Sequence, residues 1–190
     1  MDRRQFVTRV GIGSVGLGAL AVTPASLAGQ RKGGGHQHFS LVALSRTSDD
    51  EATDHVMILE GAGSFKATSG VVDRGGGGNF VHVEDFASPG SEPLASGKWN
   101  VTGFDSYDAG DPPFGDYGRI RASILVVTVV LRPDAGGSLA GTLQINCNVL
   151  FAGIDTGETE GFELSVPGFN FDTPFAGLTH ISIPEGASSA

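Results

Sequence analysis

The 190-residue chain is poor in the features that hold many exported proteins together or give them obvious chemistry. It has one cysteine, Cys147, so an intrachain disulfide and a zinc or iron–sulfur cluster held by several thiolates are both excluded. No apolar run reaches the ~20 residues of a bilayer-spanning helix. Positive charge is scarce and scattered: 12 Lys+Arg stand against 21 Asp+Glu, for a net charge of −9. Nucleic acid and anionic membrane surfaces, which need clustered cations, are therefore not expected partners. There is no Gly-x-Ser-x-Gly elbow, and no segment after residue 28 keeps helical periodicity over three turns.

What the sequence does have begins at its first residues. Asp2-Arg3-Arg4-Gln5-Phe6-Val7 resembles the twin-arginine export signal, two arginines followed after one residue by a large apolar pair. A glycine-diluted apolar run over residues 10–22 follows, then Thr23-Pro24, then the small-residue site Ser26-Leu27-Ala28. The resemblance implies export of an already folded chain to the periplasm, cell surface or medium, with cleavage after Ala28. Arg3 and Arg4 would be the export motif, and no stable membrane span would remain after the cut. Taking residues 1–28 as leader leaves 162 of 190, one domain's worth of chain. Losing Arg3, Arg4, Arg9 and Asp2 shifts the charge from −9 to about −11. Residues 29–35 read as a Gly-rich linker, 36–184 as a single domain and 185–190 as a flexible tail.

Within that domain the pattern is strand and turn. Residues 36–46 place Phe39, Leu41 and Ala43 on one face and His38, Ser40 and Val42 on the other. Residues 55–60, 64–68, 79–85 and 98–107 read as further strands, with the glycines at 61–63 and 75–78 as breaks or turns. The clearest signal is a long hairpin: residues 119–131, rich in Ile and Val, then Pro133-Asp134-Ala135-Gly136-Gly137, then an alternating return over 139–151. In the return strand Cys147 shares the apolar face of Leu143, Ile145 and Val149, which predicts a buried, unreactive thiol. Residues 162–166 and 178–183 complete the set, with 167–174 read as a loop. The expected fold is all-β, an antiparallel meander closing into a β-barrel, with a β-sandwich as the alternative. Because residues 126–130 are apolar on both faces, a cover on the outer side is expected too. Gly97-Lys98-Trp99 is similar to the Gly-x-Trp of lipocalins, although there the triplet lies on the first barrel strand. Trp99 reads as a core aromatic.

Candidate chemistry is sparse. The run 75–80, Gly-Gly-Gly-Gly-Asn-Phe, lacks the helix and the Lys-Ser/Thr pair of a phosphate loop. His36 and His38 share a strand face, His82 shares one with Glu84, and His180 lies on the last strand. Arg119 and Arg121 point the same way at a strand start. A ligand site would draw on His82, Glu84 and Arg121, provided that the fold brings them together. Asp105, Asp108, Asp111 and Asp116 crowd a Gly/Pro loop and make calcium the candidate ion, while no other cofactor is expected. The leading expectation is a soluble exported β-domain of unknown activity, a non-catalytic binding or surface module, for which a small apolar ligand or a second copy is the candidate partner. A small barrel enzyme of isomerase or cyclase type is one alternative. A homo-oligomeric assembly subunit, lending its strand at residues 36–46 to a neighbour's sheet, is the other.

Overall fold

The computed structural model describes residues 35–47, 55–73, 75–84, 92–110 and 113–183. The leader with its twin arginines and its cut after Ala28, most of the linker, the acidic run Asp49-Asp50-Glu51, Asp111 and the tail 185–190 lie outside these residues.

The described residues form an eight-stranded antiparallel barrel with one extra strand. The barrel strands are β1 (Gln37–Thr47), β2 (His55–Lys66), β4 (Gly77–Glu84), β5 (Ala95–Asp108), β8 (Ser123–Pro133), β9 (Leu139–Cys147), β10 (Gly161–Val166) and β11 (Phe169–Ile181). Each pairs with the next, and β1 closes the ring by pairing with both β2 and β11. The short β3 (Val71–Val72) extends the edge of β2, and β6 (Asp116–Tyr117) with β7 (Ile120–Arg121) makes a separate small hairpin. The expected meander and its closure into a barrel are what the chain adopts. We call the end where β1 finishes and β2 starts the upper end.

Strand alternation sets the inside. Phe39, Leu41 and Ala43 of β1 point into a core shared with Leu125, Val127, Val129 and Leu131 of β8. Cys147 is fully buried there, and burial raises its thiol pKa to about 11, so it is a core residue as expected. On the outer face of β8, Val126 and Val130 are half-buried and Thr128 is exposed. The described residues therefore supply only part of the outer cover.

The glycines depart most from expectation. Gly61 and Gly63 do not break the chain; both lie inside the single strand β2, and Gly77 and Gly78 belong to β4. Gly61 and Gly63 are needed where aromatic rings lie against them, Gly77 and Gly78 where neighbouring backbone approaches closely. A Cβ at Gly61 would stand 2.5 Å from the Trp99 indole, and one at Gly63 would stand 2.6 Å from the Phe39 ring. Phe39 thus occupies the space left by a glycine on the adjacent strand, Trp99 reaches across β4 to the space left by Gly61 on β2, and the barrel's midsection is filled. Trp99, 1% exposed, donates its Nε1–H to the Glu60 carbonyl at 3.1 Å.

Three more boundaries differ. The predicted strand 119–131 divides into β7 and β8, and β9 ends at Cys147, before a 3-10 turn at Leu150–Ala152. Residues 167–174 are not a loop: the turn is confined to 167–168, with Gly168 at φ 89°, and β11 runs from Phe169. Pro174 is accommodated because it sits at a register shift against β1, where the regular ladder is interrupted.

Candidate functional site

The residues singled out from sequence separate to two ends of the barrel. His82 and Glu84 lie at the upper end of β4, opposite Met57 and His55 of β2. Arg121 precedes β8 at the lower end, so the 11-residue length of β8, ~33 Å, lies between them. The anticipated convergence of His82, Glu84 and Arg121 does not occur.

At the lower end Arg121 is held by Asp116 across the β6–β7 hairpin, with Nε–Oδ1 and Nη2–Oδ2 both at 2.7 Å. This fork, made mainly by the Asp116 carboxylate, raises the Arg121 pKa above its ordinary value. Beside it, buried Gln37 donates from Nε2 to the Tyr107 hydroxyl at 2.8 Å. Arg119 is exposed in the hairpin turn, and so does not share Arg121's setting. The calcium expectation finds no such cluster in what is described. Asp116 is engaged with Arg121, and Asp108 accepts the Gly110 N–H at 2.7 Å. Asp105 is exposed, and Asp111 lies outside the described residues. Among the described residues no three histidine, cysteine or carboxylate groups already surround one point.

The histidines form two groups. On the outer wall near the lower end, His36 Nδ1 meets Asp73 Oδ2 at 3.0 Å, and Asp73 also accepts the Ser64 hydroxyl. That hydroxyl is the main reason the Asp73 pKa falls, with His36 adding to it. His38 sits between this pair and His180, whose pKa is lowered by burial and then by His38.

At the upper end, His55 Nδ1 and His82 Nε2 are 3.0 Å apart. His82 is 8% exposed and meets Phe169 and Phe171 edge-on at ring separations of 4.8 and 5.3 Å. His55 meets Phe169 at 4.9 Å. The rim here is apolar as well: Leu94, whose N–H bonds the His82 carbonyl, is 50% exposed, and Leu139 is 38% exposed. Burial, then the charge on His55, lowers the His82 pKa to about 4, so its imidazole is neutral at neutral pH.

The consequence for stability has a definite sign. His82 takes up its proton near pH 6.5 when unfolded but only near pH 4 when folded, so the unfolded chain binds more protons in between. Lowering the pH from 7 to 5 is therefore expected to cost about 2 kcal/mol of unfolding free energy, and His180 acts in the same direction. Urea titrations at both pH values should show this loss, and His82→Gln should remove most of it. An equal loss in that variant would refute the assignment.

Sequence reasoning found His82 and Glu84 but missed His55, Phe169 and Phe171. His55 was indistinguishable from an ordinary strand start. The two phenylalanines alternate with Asn170 and Asp172, a period-two signal hidden by the nearby prolines. No known protein family, curated protein or solved structure matches the chain.

Proposed function

We propose that the chain is an exported, soluble β-barrel protein that acts as a non-catalytic binding module, seating a small, largely apolar ligand at its upper rim. The observation that carries this reading is the His55–His82 pair, with His82 held neutral by burial, set against Phe169 and Phe171. An apolar wall with a few directed hydrogen-bonding groups is the usual composition of a small-ligand site. The filled midsection puts the ligand at the rim, not deep inside. The Arg3–Arg4 leader supports export by the twin-arginine route.

The alternatives are less well supported. A barrel isomerase or cyclase built on His82, Glu84 and Arg121 would need groups that stand at opposite ends. An assembly subunit lending its N-terminal strand would have to strip β1 from both β2 and β11.

A fluorescence titration with the neutral probe N-phenyl-1-naphthylamine tests the binding reading. Saturable, micromolar, blue-shifted emission is expected, weakened about tenfold by Phe169→Ala, in line with ~1.4 kcal/mol of lost contact. Emission that does not saturate, or that Phe169→Ala leaves unchanged, would rule this rim out as the seat.

A further inference from the structure

We propose that His55, His82 and Glu84 form a binding site for a divalent first-row transition-metal ion at the upper rim of the barrel. The inference rests on the same rim as the ligand reading above and goes further by naming a chemistry for it.

The two ring nitrogens lie 3.0 Å apart. Imidazole–metal bonds are about 2.0–2.1 Å, so two nitrogens at that spacing would subtend roughly 94° at a shared ion. That is close to the right angle between neighbouring ligands of an octahedron, whereas a tetrahedral ion would need roughly 3.4 Å between them. The third ligand follows from strand geometry. Glu84 lies directly opposite His55 in the β2–β4 ladder and two residues beyond His82, so all three side chains leave the same face of the sheet. Two imidazoles and one carboxylate, with the remaining positions open, suit Fe²⁺ and its neighbours Co²⁺, Ni²⁺ and Zn²⁺.

Among the described residues no three such groups are placed to hold a metal ion as they stand, so Glu84 has to turn its carboxylate toward the imidazoles. It is half-buried and is the last residue of β4. Phe169 packs against both imidazoles and Phe171 against His82, an apolar shell that limits solvent access on that side.

A plain hydrogen bond between the two imidazoles accounts for the same 3.0 Å and separates cleanly in its consequences. In that case one nitrogen keeps a proton and Glu84 plays no part. In a metal site both lone pairs and the carboxylate face the ion. The second group of histidines, His36, His38 and His180 on the outer wall, supplies the necessary control for surface binding.

The test is titration of the chelator-stripped full chain with Co²⁺, followed by visible absorption and calorimetry, with no organic ligand added. One equivalent is expected to bind and to be displaced by Zn²⁺. Affinity should fall about tenfold or more in His55→Ala and in Glu84→Gln, the range seen when a site loses part of its coordination shell. It should stay within about twofold in His38→Ala/His180→Ala, which leaves the rim intact. His55→Gln keeps a hydrogen bond to His82 and guards against reading a folding defect as lost binding. Absence of stoichiometric binding overturns the proposal. So does binding that survives His55→Gln or Glu84→Gln, or that disappears with the outer-wall histidines. Because the naphthylamine experiment contains no metal, either reading can fail while the other stands.

Discussion

Trp99→Ala is expected to lower the unfolding free energy by about 3–5 kcal/mol, the range for deleting a large buried aromatic. Urea denaturation would read it as a reduced midpoint with little change in slope. The indole is 1% exposed and lies against Gly61 of β2, on the far side of β4. Glycine there has no side chain that could move in to fill the space. The substitution also strands the Glu60 carbonyl that accepts the indole N–H at 3.1 Å, a further cost if water does not reach it. With domain stabilities near 5–15 kcal/mol, this one change removes a large part of the total. A loss below about 1 kcal/mol would mean that the ring is not seated as described.

The converse change, Gly61→Ala, is expected to cost about 1–3 kcal/mol although it adds only a methyl group. Its Cβ would lie 2.5 Å from both the Trp99 ring and the Gly77 carbonyl oxygen. The first contact can be relieved by moving the ring; the second is backbone, and relieving it means prising β2 from β4. The two parts can be separated by a double-mutant cycle. In a Trp99→Phe background the smaller ring withdraws, so the added cost of Gly61→Ala should shrink without vanishing, because the carbonyl contact remains. Simple additivity of the two changes would contradict the ring–glycine contact.

These two residues also explain what could and could not be read from sequence. The all-β class, the meander and the long hairpin were legible because β-branched alternation and turn chemistry are local. The inward set Phe39, Leu41 and Ala43, and the burial of Cys147, followed from period two alone. Glycine is different, since locally it signals a break whether or not the chain turns. Only the partner ring on another strand shows that Gly61 and Gly63 sit within a continuous strand. The same ambiguity hid the site. His55 and His82 lie 27 positions apart, and their meeting depends on the β2–β4 register through the glycine tract. Side-chain alternation specifies register weakly in such a tract. Arg121 failed for a related reason. Read as the start of β8, it shared a strand with the core; in the structure it belongs to a small hairpin fixed by Asp116.

The direction of the chain through the barrel has a practical corollary. β1 enters and β11 leaves at the same rim, with Ser182 bonded back to His38, while the imidazole pair opens at the opposite pole. A linker or a solid support joined next to Gln37 or Ile181 would therefore hold the barrel by its lower rim and leave the rim of His55 and His82 pointing away from the attachment.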